Sequence, residues 1–180
     1  MIETERLVMR SWRDEDIAPF QRICSDPDVM ATLGRPLDMA ETAALVERVR
    51  GIEAEQGHTF WALERKQDAR LIGWCGVIRG TAGPVAGKAE IGWRLARDAW
   101  GAGYASEAAR GAAAWSFTHL ADDAIWAITW QGNVRSRAVM ERLGMEYRAG
   151  LDFDHPKLDE SDPLRPHVTY SLSRSVWGTA

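Results

Sequence analysis

The chain has 180 residues, of which 46% are hydrophobic and 27% are charged, as is ordinary for a globular protein with a buried core. Its net charge of −4 argues against broad nucleic-acid binding and fits a cationic substrate somewhat better than an anionic one. No apolar run approaches the ~18–20 residues of a membrane span, and the N-terminus lacks a signal-peptide core. Two cysteines, four histidines and no CxxC or HExxH spacing predict a cytoplasmic protein without a metal.

Apolar periodicity predicts an α/β domain that spans the whole chain, residues 1–180. Its first elements are a strand over Glu5–Ser11, a helix from Asp14 to Cys24, and a helix from Asp38 to Gln56 that opens with a capping box. The irregular segment 28–37 between these helices is expected to border a substrate entrance.

The elements that follow make up a mixed sheet with interspersed helices. They are predicted as a strand hairpin over Thr59–Arg65 and Arg70–Arg79, a strand over Glu90–Leu95, a helix over Tyr104–Phe117, a strand over Ala124–Thr129, a helix over Val134–Leu143, a strand over Met145–Asp152, a loop over Phe153–Pro166 and a strand over His167–Ser173.

A glycine turn joins the strand Glu90–Leu95 to the helix that follows it. Gly101 and Gly103 bracket a single residue, and an alanine-rich run without proline begins at Tyr104. Glycine lets the backbone approach another group closely, and a helix start directs unpaired N–H groups and the positive end of its dipole at that space. The arrangement predicts a cradle for a phosphate or pyrophosphate.

Two common phosphate-binding folds are excluded by the residues around this turn. In a dinucleotide-binding fold the glycines follow the strand directly and an acid near the end of the next strand holds the ribose. Here residues 96–100 intervene, and the next strand ends in Thr129-Trp130-Gln131 without an acid. No Gly-Lys-Ser/Thr follows the turn, which excludes a P-loop.

The segment Glu90–Phe117 and the run Asn133–Met145 (NVRSRAVMERLGM), in this order, resemble the GNAT superfamily of acyl-CoA-dependent N-acetyltransferases. The NxxSxxxxxxLGM spacing is similar to the ribosomal-protein alanine N-acetyltransferase (Rim-type) branch. The resemblance extends over nearly the whole chain. It implies an α/β fold with a mixed, mostly antiparallel sheet flanked by about four helices, splayed between the strands that end at Leu95 and Thr129.

The resemblance also implies acetyl-CoA as co-substrate. Backbone N–H groups of the turn would hold the pyrophosphate, and the pantetheine arm would lie along the strand before it like an added strand. The implied cofactor-binding residues are Trp93, Leu95, Trp100, Gly101, Ala102, Gly103, Tyr104, Ala105, Ser106 and Asn133. One position departs from the family pattern, because Asp98 stands where Arg or Gln is usual and a carboxylate cannot donate to phosphate. Arg97 or the backbone alone would then donate the hydrogen bonds to the phosphate.

Acetyl transfer to an amine needs a base for the amine, N–H donors for the oxyanion and a proton for the thiolate. Glu90 is the first candidate base, or else a strand-end residue in a solvated ion pair; His155, His167 or a water chain are alternatives. Backbone N–H groups near Trp93 are expected to face the oxyanion. By resemblance Ser136 protonates the thiolate, although a Ser at this helix position needs no role beyond local hydrogen bonding.

The acceptor is open at this point. The Rim-type resemblance favours a protein or peptide N-terminus, and a small amine such as an amino acid, polyamine or aminoglycoside is the alternative. Trp61, Trp74 and Trp130 are either an aromatic slot for an ammonium group or core residues. A non-catalytic acyl-CoA-binding module is the alternative from another functional class. No nucleic-acid or membrane partner is expected, and the chain is predicted to be a monomer or homodimer.

Overall fold

The computed structural model describes residues 1–178, and their nine strands form one sheet. The strands are β1 (Ile2–Glu3), β2 (Leu7–Arg10), β3 (Phe60–Arg65), β4 (Arg70–Arg79), β5 (Ala89–Leu95), β6 (Ala124–Trp130), β7 (Glu146–Tyr147), β8 (Phe153–Asp154) and β9 (Pro166–Ser173). The helices are α1 (Ile17–Cys24), α2 (Pro27–Met30), α3 (Met39–Gln56), α4 (Tyr104–His119), α5 (Val134–Leu143) and α6 (Arg174–Trp177).

The strands lie in the order β1-β2-β3-β4-β5-β6-β9-β7, and β8 pairs with β9. Among the described residues β5 and β6 are the one parallel pair, and all other neighbours are antiparallel. Four helices have eight or more residues, and α2 and α6 add one turn each. The predicted fold, a mostly antiparallel mixed sheet with about four helices, is confirmed.

Helices cover both faces of the sheet. On one face α4 packs against β4 and β5, with Ala108, Ala109, Ala112 and Ala113 completely buried, because alanine allows a helix to approach a sheet closely. On the other face α1 packs against β4, where Phe20 meets the Trp74 ring with their centroids 5.2 Å apart. The core therefore has two layers, one on each side of the central strands.

Local signals define the helix ends as predicted. The Asp38 side chain accepts a hydrogen bond from the Glu41 N–H and the Glu41 side chain accepts one from the Asp38 N–H, which completes the capping box of α3. Gly57 ends α3 and Gly144 ends α5, each in the left-handed conformation that glycine adopts without strain.

The C-terminal third differs from the prediction. The strand expected over Met145–Asp152 is limited to β7, because a turn follows in which the Leu151 N–H donates to the Arg148 carbonyl. The predicted loop Phe153–Pro166 contains β8, and Pro166 already belongs to β9. Among the other elements, β1, α2 and α6 were not predicted; α2 overlaps the segment 28–37 that was expected to be irregular.

No helix within residues 1–178 combines the length and apolar character needed to cross a membrane. No cluster of three or more His, Cys, Asp or Glu side chains suited to a metal ion lies in this part of the chain. The cytoplasmic location and the oligomeric state stay predictions.

Candidate active site

A V-shaped opening separates β5 from β6. The two strands pair at one position, where Glu90 lies opposite Trp126. By contrast, β5 pairs with β4 from Ala89 to Leu95 and β6 pairs with β9 over its whole length. Beyond Glu90 the facing edges of β5 and β6 therefore carry backbone groups that no strand satisfies. This is the splay predicted between the strands that end at Leu95 and Thr129.

The start of α4 lies beside this opening with free N–H groups. Gly101 and Gly103 have φ of 78° and 82°, a region that favours glycine. No side chain caps α4, and its first internal hydrogen bond runs from the Glu107 N–H to the Gly103 carbonyl at 3.0 Å. The N–H groups of residues 104–106 are thus free to meet an anion at the positive end of a 16-residue helix.

Arg6 braces this turn from the N-terminal segment. Its Nε lies 2.6 Å from a carboxylate oxygen of Glu107, its Nη1 donates to the Ala102 carbonyl at 3.0 Å, and its guanidinium lies 4.6 Å from the centre of the Tyr104 ring. Thr4 donates a further hydrogen bond to Glu107 at 2.6 Å. These contacts hold the glycine turn in its conformation, and nothing in the sequence pattern predicts them.

Asp98 does not face the cradle as a free carboxylate. It forms an ion pair with Arg70 at 2.7 Å, so its charge is compensated at the start of β4. Two cations lie near the glycine turn. The guanidinium groups of Arg97 and Arg135 are 4.7 and 4.4 Å from the centre of the Trp100 ring. Arg97 was considered from the sequence, whereas Arg135, the third residue of the run that starts at Asn133, was missed.

A cavity of about 890 Å³ lies between β5, the glycine turn and α5. This volume is within the range of ~300–1,000 Å³ that is common for ligand sites. Its lining includes eight of the ten predicted cofactor-binding residues: Trp93, Leu95, Trp100, Gly101, Gly103, Tyr104, Ala105 and Asn133. The predicted residues Ala102 and Ser106 lie outside the lining. The Leu95 carbonyl accepts a hydrogen bond from the Trp100 indole at 3.0 Å, which occupies one of its two acceptor positions.

Asn133 and Ser136 hold the start of α5 against this cavity. The Asn133 side chain accepts a hydrogen bond from the Ser136 N–H at 3.2 Å and donates one to the Thr129 hydroxyl at 3.0 Å. Asn133 is therefore a helix cap tied to β6, as expected. Both residues line the large cavity, and Ser136 also lines a second one.

The second cavity has a volume of about 160 Å³ and lies on the α1 side of β5. Glu90, Trp93, Arg94 and Ser136 are among its lining residues, so the two predicted catalytic side chains share it. Burial raises the pKa of Glu90 to about 7, while the charge of Lys157 acts to lower it. A carboxyl group with this pKa is partly ionised at neutral pH and can accept a proton.

The alternative bases lie apart from both cavities. The rings of His155 and His167 are 4.9 Å apart and pack beside Phe153, and neither residue lines either cavity. Burial lowers the pKa of both imidazoles, and the charges of His167 and Lys157 add to this for His155. Neither histidine therefore shares a cavity with Ser136.

The structure does not bring the three candidate tryptophans together. Trp61 packs edge-on against Trp115 of α4, whereas Trp74 packs against Phe20 on the opposite face. Trp61 and Trp74 are 4% and 5% exposed, so both are core residues. The prediction that the three tryptophans form one aromatic slot is therefore wrong, although Trp74 contributes to the wall of the small cavity.

Comparison with known proteins agrees with this geometry. The Acetyltransferase (GNAT) domain family matches residues 6–146. The YkkB protein of Bacillus subtilis (strain 168) is 32% identical over 145 residues, which are 80% of this chain and 84% of YkkB.

Two solved structures extend the likeness to the fold. An acetyltransferase from Agrobacterium tumefaciens str. C58 is 25% identical with a TM-score of 0.77, covering 96% of this chain and 94% of that one. Spermidine N-acetyltransferase from Vibrio cholerae, solved with CoA and spermine, is 16% identical with a TM-score of 0.75, covering 97% and 98%. Because the domain family matches most of the chain, this protein belongs to the GNAT acetyltransferases, as predicted, with acetyl-CoA as co-substrate.

Proposed function

We propose that this protein transfers an acetyl group from acetyl-CoA directly to a primary amine. The observation that carries the proposal is the open edge of β5 beside the uncapped start of α4, with Glu90 and Ser136 on one adjoining cavity. A backbone edge suits the amide-bearing pantetheine arm, and free helix N–H groups suit a pyrophosphate. The charge of Arg135 at Trp100 adds to the attraction for phosphate, whereas Arg97 is paired with Asp28 at 3.3 Å.

Glu90 is proposed as the base. Its carboxylate takes a proton from the ammonium form of the acceptor, directly or through a water, and leaves a neutral amine that attacks the thioester carbonyl. No hydrogen bond to this carboxylate is present among residues 1–178, so burial raises its pKa and only the charge of Lys157 opposes that shift. His155 and His167 are second candidates.

Backbone N–H groups near Trp93 and Arg94 are proposed to stabilise the oxyanion that forms at the carbonyl. The carbon–sulfur bond then breaks, and Ser136 donates its hydroxyl proton to the departing thiolate. The acetylated nitrogen loses its extra proton, which restores the Ser136 hydroxyl directly or through a water. Ser136 suits this role because it lines both cavities and its position is determined by the Asn133 cap. The products are an acetamide and free coenzyme A.

For the acceptor, the Rim-type spacing of Asn133, Ser136 and Leu143 favours a protein or peptide N-terminus. A small-molecule amine is the second candidate, and the volume of about 160 Å³ beside Glu90, which holds only a small group, favours it. A screen of acetyl-CoA turnover across peptide N-termini and small amines, with free thiol as the readout, tests the proposal. Turnover on at least one class is expected; tight acetyl-CoA binding without turnover on any amine would instead support a non-catalytic acyl-CoA-binding module.

A further inference from the structure

Arg94 is a partly buried cation without a carboxylate partner. Its Nη1 donates to the Cys24 thiol at 3.0 Å, and its Nε is buried without a hydrogen-bond acceptor. Within residues 1–178 no carboxylate oxygen lies within 4.0 Å of its guanidinium. A thiol is a weak acceptor, so most of the hydrogen-bonding capacity of this group is unused.

The surroundings of the guanidinium are apolar. Its central carbon lies 5.0 Å from the centre of the Trp74 ring and 6.0 Å from that of Phe20, and Trp74, Phe20 and Cys24 are at most 5% exposed. Contacts with aromatic faces offset part of the cost of removing a cation from water. They do not replace a counter-charge, whose absence in an apolar environment is costly.

The same chain pairs another buried arginine fully. Arg10, 6% exposed, lies 2.7 Å from a carboxylate oxygen of Asp16 and 2.9 Å from one of Glu64. Near Arg94 the opposite holds, because its charge acts on a second cation. Arg48 of α3 has its pKa lowered by burial of part of the side chain and by the charge of Arg94. Two positively charged side chains therefore lie close enough to interact here, although the net charge of the chain is −4.

Arg94 borders the reaction site from the acceptor side. It lines both cavities, which meet at Leu33, Trp93, Arg94 and Ser136. Glu90 and Arg94 are four residues apart on β5, so their side chains emerge on the same face, with Cα atoms ~13 Å apart along the strand. A molecule between them would meet a base at one end and a cation at the other.

We propose that Arg94 binds a carboxylate of the acceptor, so that the substrates are amines that also carry a carboxylate group. This inference rests on the proposed acetyl transfer. A guanidinium donates two parallel hydrogen bonds to a carboxylate, and the ligand would supply the counter-charge that the protein lacks. The carboxylate is either that of a free amino acid or an acidic side chain near a peptide N-terminus.

Two arms of one experiment distinguish these sources. The first compares a free amino acid with its amide at equal concentration of neutral amine, and the second compares amidated dipeptides Ala-Asp and Ala-Asn. For the wild type, kcat/KM should be at least tenfold higher for the substrate with the carboxylate than for the matching amide, in at least one of the two arms. Arg94→Gln should remove this preference by raising KM for the acid, with kcat and KM for acetyl-CoA nearly unchanged, and Arg94→Lys should retain part of it. Arg110→Gln, an exposed arginine on α4, is the control and should change nothing.

The inference is wrong if the wild type prefers the acid in neither arm, or if Arg94→Gln weakens acid and amide equally or raises KM for acetyl-CoA. Thermal melts verify that the variants fold, and should Arg94→Gln not fold, the wild-type pairs and Arg94→Lys decide. Absence of turnover on every amine contradicts the proposed reaction alone. In that event calorimetric affinity of acid and amide for the CoA-bound protein tests Arg94 by itself, and equal affinities overturn its role.

Discussion

The two ends of the groove differ in how well their polar groups are satisfied. At the glycine turn, Arg6 is bonded to Glu107 and Ala102, and Asp98 is paired with Arg70. At the acceptor end, Glu90 accepts no hydrogen bond from the described residues, and Arg94 has an Nε without an acceptor. A polar group that the protein leaves unmet beside a cavity is available to a ligand. The contacts at the glycine turn thus stabilise one backbone conformation, whereas the polar groups at the acceptor end of the groove are available for substrate binding and reaction.

The largest effect is expected at the unsatisfied end. Glu90→Gln should lower kcat/KM for the amine by ~10²–10⁴-fold, because a neutral amide cannot take the proton. In the wild type kcat/KM should rise with pH through about 7 as Glu90 ionises, and this rise should be missing in the variant. Rates over pH 5.5–9 at saturating acetyl-CoA measure both.

Glu55→Gln, an exposed acid on α3, is the matched control and should behave as the wild type. If Glu90→Gln lowers kcat/KM by less than tenfold and keeps the pH dependence, Glu90 is not the base, and water or the His155–His167 pair takes the proton.

The same substitution should stabilise the protein at alkaline pH. The pKa of Glu90 is about 7 in the folded chain and about 4.5 when unfolded, so the folded state holds a proton that the unfolded state releases between these values. Stability therefore falls as pH rises through this window, and ionised Glu90 costs up to ~3 kcal/mol above it. Urea unfolding should show Glu90→Gln to be more stable than the wild type at pH 8, and this advantage should vanish near pH 4. An equal difference at both pH values would contradict the burial of this carboxyl.

At the braced end the expected effect is on affinity. Gly103→Val should raise the Kd for acetyl-CoA by roughly 100-fold or more, because a β-branched residue at φ of 82° is strained and distorts the cradle. Calorimetry measures the affinity, and a thermal melt verifies the fold. Gly150→Val is the control, since a side chain there meets open space. Unchanged affinity in Gly103→Val would remove this turn as the pyrophosphate site.

The glycine turn was also the part of the site that the sequence could predict, because the residues that determine its backbone are close together in the chain. Glycines at 101 and 103 and the cap at Asn133 act on the backbone within a few residues, so spacing alone locates them. The Arg6 brace could not be predicted, since it joins residues 101 positions apart. For the same reason Arg94, whose neighbour Cys24 is 70 positions away, had no signal as an unpaired cation.

The C-terminal third shows where periodicity itself fails. Residues 145–152 read as one strand, but only two of them pair with β9, as the chain turns at Arg148–Leu151. Two-residue strands such as β7 and β8 depend on the edge that β9 offers them, and their own sequences contain too little pattern to reveal it.

Ser136 lies where the two ends meet and should show an intermediate effect. Ser136→Ala should lower kcat by ~10-fold or more while KM for acetyl-CoA changes little, because the hydroxyl acts on the leaving thiolate rather than on binding. Steady-state kinetics with varied acetyl-CoA separate the two parameters. Ser136→Thr keeps a hydroxyl and should recover part of the rate. An unaltered kcat in Ser136→Ala would leave this residue with only its hydrogen bond to Asn133.

The smallest effect is expected from Arg135, which we expect to take the place of the Arg or Gln that is missing at Asp98. Arg135→Gln should raise the Kd for acetyl-CoA by a few fold, because an exposed guanidinium near a phosphate is screened by water and salt. Since screening weakens the attraction, the difference between the wild type and Arg135→Gln should shrink when salt rises from 50 to ~500 mM. Arg110→Gln removes the same charge from a site away from the turn and should leave the Kd unchanged. If both substitutions weaken binding equally, the effect is one of net charge, and Arg135 does not take the place of the missing Arg or Gln.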